Sequence, residues 1–397
     1  MSDPAADQPL RRPEPVGGKT KAGAGSVTRT LVKNGTAGVC HDQSMDHREI
    51  RVQARGISQN VLIAGPADGT PVLLVHGNCS AAPFWVPLLR HLPGNLRLVA
   101  PDLRGFGASE TAPVDATRGL SDFADDVAAL LEIEELFPRP GQVVVAAHSM
   151  GCGVALQLLV DHPERIAALL LEAPVSPYGF GGTRGDDGAP TTPDFAGTGG
   201  GTANPDFVQR ILAGDRSADA PTSPLSVLRS AYVADPAALG DDEQLLLDTV
   251  LSTAIGPDNY PGDGGAGPHW PGLTPGDRGV LNTMAPNHFN VAAALIAAPA
   301  KPPITWVRGE ADVIVSDTSL FDLAYLGSLG LVPGWPGPEA CPPQPMIRQT
   351  RAVLEQYKSA GGSYREVVYP ACGHSPHVER PADVATELAQ LCETVKE

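Results

Sequence analysis

Hydrophobic and polar positions fall into stretches of different period along the chain. Glu49-Ile50-Arg51-Val52-Gln53-Ala54 alternates polar and apolar side chains, as a half-buried strand does. A second strand is expected over 60–64, closed by the turn sequence Gly65-Pro66-Ala67-Asp68-Gly69. The pattern then shifts to short apolar runs at 71–75, 97–100, 142–147 and 166–171. Such runs fit strands covered on both faces, as in a parallel sheet. Between them, helices are expected over 84–92, 120–136 and 149–161; in the second, Phe123, Val127, Leu130 and Leu131 recur at helical spacing. Alternating strand and helix predicts an α/β fold: a doubly wound, mostly parallel sheet with right-handed crossovers and helices on both faces.

Regularity fails over 176–300. That segment holds a Gly/Asp/Thr/Pro-rich stretch at 179–205, helical pieces at 206–212, 225–233 and 241–252, and a loop at 256–279. Core-like structure resumes at Pro303-Ile304-Thr305-Trp306-Val307-Arg308-Gly309. A helix over 346–359, a strand at 366–369 and a terminal amphipathic helix over 382–395 follow. Residues 1–25 carry too few large apolar side chains to offset the entropy of ordering. The expected organisation is a disordered leader (1–25), a core (26–175 and 301–397) and an insertion (176–300), with no internal repeat.

Composition adds exclusions. A formal charge of −17 argues against a nucleic-acid partner and disfavours anionic lipid. The six cysteines form no CxxC pair, so buried thiols are a simpler account than a metal or disulfide framework. No apolar run reaches about 18 residues and no N-terminal signal core is present, so a cytoplasmic protein without membrane attachment is expected.

The chemistry concentrates at Val143-Val144-Val145-Ala146-Ala147-His148-Ser149-Met150-Gly151. A serine between small residues, after an apolar strand and before a helix, fits a nucleophile elbow. The turn is strained, and large side chains two positions either side would clash with neighbouring backbone. Ser149 is the candidate nucleophile, and the Met150 N–H a candidate oxyanion donor. An ordinary helix-capping serine is the competing account.

Together with this stretch, Val75-His76-Gly77-Asn78, Pro101-Asp102-Leu103-Arg104-Gly105-Phe106-Gly107, Gly309-Glu310-Ala311-Asp312 and Gly373-His374-Ser375-Pro376 resemble motifs of the α/β-hydrolase superfamily, especially its esterase, lipase and cofactor-free haloperoxidase-like branches. The resemblance implies an eight-stranded-type sheet, a Ser149, His374 and Asp312 triad, and a second oxyanion donor at Asn78. It makes His76 a loop brace and Glu310 a structural part of its motif, leaves Glu172 as an alternative acid, and implies no metal and no cofactor. His76-Gly77-Asn78 with Trp85 also resembles haloalkane dehalogenases, but those use an aspartate where Ser149 stands. The separation of Asp312 and His374, about sixty residues, is roughly double the family's usual one; the excess lies near 324–346.

By the same resemblance, 176–300 is a lid. Tyr178, Phe180, Tyr232, Tyr260, Trp270, Met284, His288 and Phe289 are its pocket candidates, with internal packing of the lid the commoner role for such residues. Trp85, His148 and His377 are candidates from the core. The implied reaction is hydrolysis of a small apolar ester or lactone through an acyl-enzyme. Carbon–carbon hydrolysis, acyl transfer, peracid formation and a non-catalytic ligand receptor remain open on the same machinery.

Overall fold

The computed structural model describes residues 46–139 and 141–395. The expected leader at 1–25, the stretch 26–45 and Cys40 lie outside the described residues. Eight strands build one sheet: β1 (His47–Ala54), β2 (Ile57–Ala64), β3 (Thr70–Val75), β4 (Leu96–Pro101), β5 (Val143–His148), β6 (Ile166–Glu172), β7 (Ile304–Gly309) and β8 (Tyr364–Tyr369). Their spatial order is β1-β2-β4-β3-β5-β6-β7-β8, and only β2 runs antiparallel to its neighbours. The apolar runs became interior strands: every residue of β4 and β5 is buried, whereas edge strand β1 alternates buried and exposed positions.

Successive residues of each interior strand feed two cores. Leu73, Val75, Val145, Ala147, Leu169 and Leu171 join one face with helices α1 (Ser121–Leu130), α2 (Met150–Asp161) and α5 (Met346–Ser359). Val72, Leu74, Val144, Ala146 and Leu170 join the other with α6 (Pro381–Thr394). Two predicted helices are shorter than expected. Residues 82–89 form a 3-10 turn and one α-turn, each with proline as its second residue. Helix α1 ends at Leu130, after which Leu131 and Leu136 still pack into the core from irregular chain.

The insertion carries α3 (Pro205–Leu212), α4 (Glu243–Leu251) and a π-helical turn at Leu228–Tyr232. Its ends meet, since Val291 N donates to Pro177 O at 2.9 Å. A third apolar cluster, including Leu225, Leu228, Tyr232 and Leu246, fastens it to Phe84 and Val378 of the core. Among the described residues, no helix is long and apolar enough to cross a membrane. Cys79, Cys152, Cys341 and Cys372 are buried thiols.

Candidate active site

Ser149 leaves β5 with φ 55° and ψ −120°, a region that side-chain-bearing residues rarely occupy. Such strain persists where the surroundings over-determine it. Here a Cβ on Gly151 would lie 2.4 Å from His76 O, and one on Gly77 would lie 3.0 Å from Ser149 Cβ. Only hydrogens fit where the turn passes the β3 loop. Ser149 N donates to Glu172 O at 2.9 Å, tying the turn to β6. Although Ser149 stands at the N-cap of α2, its hydroxyl makes no capping bond. The hydroxyl is therefore not spent on the helix, and Ser149 lines a cavity.

His374, in the loop after β8, lines the same cavity. Its Nδ1 lies 2.9 Å from Asp312 Oδ2, and both residues are buried. Asp312 Oδ1 accepts from Ile314 N at 2.7 Å and Val315 N at 3.0 Å, which fixes the carboxylate. With Nδ1–H donated to Asp312, Nε2 is the basic nitrogen of His374. Strands β5 to β8 are adjacent and parallel, so the elbow and the Asp312 and His374 loops leave from the same edge of the sheet. Asn78 lines the cavity, and Met150 opens α2, where its N–H has no intrahelical partner by position.

His76 braces the β3 loop: Nδ1 donates to Gly77 O at 2.7 Å, and Nε2 accepts from Leu103 N at 2.9 Å. Burial lowers its pKa to about 4, so the ring is neutral. Asp102 secures the neighbouring loops, accepting from Ala82 N (2.7 Å), Ala108 N (2.8 Å) and Asn60 Nδ2 (2.9 Å).

A second acid–imidazole pair lies behind His374. Glu172 Oε1 accepts from His377 N at 2.8 Å and from His377 Nδ1 at 2.6 Å, with both side chains fully buried. Glu172, the alternative acid, thus faces His377 and leaves His374 to Asp312. His148 Nε2 donates to His374 O at 2.9 Å; burial, then the neighbouring imidazoles, hold its pKa well below the usual histidine range. His148, Glu172 and His377 bring ligand-type atoms within 4.8 Å of one another. His377 Nδ1 and His148 Nε2 are engaged in these hydrogen bonds, whereas His148 Nδ1, His377 Nε2 and Glu172 Oε2 are buried without a hydrogen-bond partner among the described residues. The sequence offers Glu172 as an alternative acid and His377 and His148 as pocket candidates, but carries no sign that Glu172 and His377 pair.

The cavity measures about 370 Å³. Phe180, Phe207, Tyr232, Tyr260 and Met284 reach it from the insertion, and Leu320, Phe321, Leu323 and Leu326 from the Asp312 side. The excess chain beyond Asp312 therefore contributes at its start to the cavity wall. Among the described residues, none that lines it is Lys, Arg, Asp or Glu.

Of the pocket candidates, Phe180, Tyr232, Tyr260 and Met284 line this cavity, whereas Trp85, His148, Tyr178, Trp270, His288, Phe289 and His377 do not. Trp85 and His377 pack ring on ring at 4.4 Å in the interior, and His148 stacks on Phe84. Phe289 closes on Gly153 of α2, and Tyr178 on Gly188. His288 Nε2 bonds Gly276 O at 2.9 Å. Each ring fills core or braces a loop, and residue type alone did not disclose which. Trp270 likewise donates to Pro333 O at 2.8 Å. Leu320 and Phe321 were missed, although an apolar pair so soon after Asp312 was a readable signal.

The sequence model of the alpha/beta hydrolase family matches residues 72–387. Three curated relatives match over shorter stretches. RutD of Variovorax paradoxus, a candidate carbamate hydrolase, is 41% identical over 110 residues, 28% of this chain and 40% of that protein. A 2-hydroxymuconate semialdehyde hydrolase of a Pseudomonas species is 32% identical over 121 residues, 30% of this chain and 40% of that protein. Lipase LipV of Mycobacterium tuberculosis is 36% identical over 110 residues, 28% and 39% of the two chains. The chain thus spans about two-fifths of the length of these relatives. Among solved structures, an esterase from Thermogutta terrifontis shares the fold at TM-score 0.53 and 18% identity, over 88% of this chain and all (100%) of that one. Esterase RhEst1 from a Rhodococcus species does so at 0.54 and 20%, over 88% and 100%. A family match reaching from β3 into α6 encloses the elbow and both loops that hold Asp312 and His374, and the chain is a member of the alpha/beta hydrolase family.

Proposed function

We propose that this hydrolase cleaves an uncharged, largely apolar carboxylic ester through Ser149, His374 and Asp312. The observation that carries this reading is the buried His374–Asp312 pair, 2.9 Å apart, opening on the cavity that Ser149 lines. His374 Nε2 takes the Ser149 proton as Oγ bonds to the ester carbonyl carbon, and Asp312 steadies the imidazolium. The N–H groups of Asn78 and Met150 receive the developing oxyanion. The alkoxide leaves with the proton from His374. Water, deprotonated by the same nitrogen, then releases the acid and restores Ser149.

The uncharged lining supports a neutral substrate, because a carboxylate entering this cavity would lose its hydration without meeting a cation. In this scheme residues 176–300 act as a lid over the nucleophile. A fluorophosphonate probe is expected to label wild-type protein and not Ser149→Ala, and His374→Ala should lose at least about a thousandfold in kcat. Folded wild-type protein that resists labelling would overturn the reading. Lactones and vinylogous diketones assayed beside p-nitrophenyl esters separate ring opening and carbon–carbon cleavage from ester hydrolysis.

A further inference from the structure

One side chain of the insertion touches both sides of the catalytic apparatus. Tyr232 closes the π-helical turn Leu228–Tyr232, a rare element found often at functional sites. It is buried, and its hydroxyl shares its one proton between Asn78 O at 3.2 Å and Cys79 O at 3.3 Å. Those carbonyls flank Cys79, whose φ of 46° is unfavourable for a residue with a side chain. The loop carrying the Asn78 N–H is thus held in a costly conformation, and Tyr232 supplies part of what holds it. The same ring meets His374 edge-on, with centroids 6.2 Å apart.

The chain beyond Tyr232 is fastened to the His374 loop by Glu379. Its Oε2 accepts from Ala234 N at 3.0 Å and Asp235 N at 3.2 Å, and its Oε1 from Gly373 N at 2.5 Å. A Cβ on Gly373 would come within 2.6 Å of Ala234 N, so the two backbones lie in contact. Burial raises the Tyr232 phenol well above its usual range, so the hydroxyl stays a donor.

We propose that Tyr232 is a positioning residue: from the insertion, its hydroxyl locks the oxyanion loop in the conformation that presents the Asn78 N–H to the reacting carbonyl. The inference rests on the hydrolase reading above. In Tyr232→Phe, kcat for p-nitrophenyl butyrate should fall about tenfold or more while KM stays within about threefold, since only transition-state stabilisation is lost. Affinity for an alkylboronic acid, which forms a tetrahedral adduct on Ser149, should fall by the same factor. The pH profile of kcat should keep its midpoint, because His374 and Asp312 are untouched. Glu379→Gln, which loosens the same segment without altering Tyr232, should shift kcat and boronate affinity in the same direction and serves if the first variant does not fold. Unchanged kcat, a loss confined to KM, or retained boronate affinity would overturn the inference. Wild-type protein that the fluorophosphonate fails to label would instead bring down the hydrolase reading, so the two failures are distinguishable.

Discussion

Both nitrogens of His76 are engaged, one as donor to Gly77 O and the other as acceptor from Leu103 N; a second proton leaves the first bond intact and abolishes the second. Its folded pKa of about 4 lies below the usual 6.5 because burial penalises the charged ring. Between those values the unfolded chain binds a proton that the folded chain refuses. Stability is therefore full above pH 6.5 and is lost as pH falls towards 4, by about 3 kcal/mol from this one group. His148 is shifted in the same direction. The urea midpoint should drop steadily from pH 6.5 to 4; a midpoint flat across that window would contradict the account. Gly77 makes a second prediction, since an added Cβ would sit 2.9 Å from His148 Nδ1 and 3.0 Å from Ser149 Cβ. Gly77→Ala should displace the elbow and cost at least about tenfold in kcat, read against the melting temperature of each protein. At this scale Ser149 was singled out by the strand-to-helix turn it occupies, whereas Asp312 and His374 were singled out by resemblance to the α/β-hydrolase family, and the structure brings those two within 2.9 Å of each other. The places of Trp85, Tyr178 and Phe289 were not legible, because a large ring suits either a pocket wall or a core.

Interior strand boundaries followed from apolar runs that had to be buried on both faces, α2 from its place between two such runs, and α6 from its amphipathic pattern. The shortened helices near residues 84 and 130 record tertiary packing overriding periodicity: Leu131 and Leu136 find the core without a helix to present them. The segment after Asp312 was harder to read. Leu320 and Phe321 line the cavity while remaining 44% and 43% exposed, so they form its rim. Phe321→Ala should raise KM for p-nitrophenyl octanoate several-fold, up to about tenfold, and leave p-nitrophenyl acetate little changed. Equal effects on both esters would show that this rim does not meet the acyl chain.

The whole molecule divides its labour between sheet and insertion. Ser149, Asp312, His374 and Asn78 all stand on loops from one edge of a sheet whose interior strands are covered on both faces, and whose direction periodicity suggests as parallel without specifying the strand order. The insertion supplies much of the cavity wall, and its Gly- and Pro-rich sequence gave no period from which to infer which side chains face inward.

The hydrogen bond between Pro177 and Val291 closes the insertion at its base. A loop whose two ends already touch can be lengthened, shortened or exchanged while β6 and β7 keep their register. Descent could therefore trade one substrate wall for another at one place in the chain, with the tyrosine and glutamate contacts at its inner face among the joints that any replacement must rebuild.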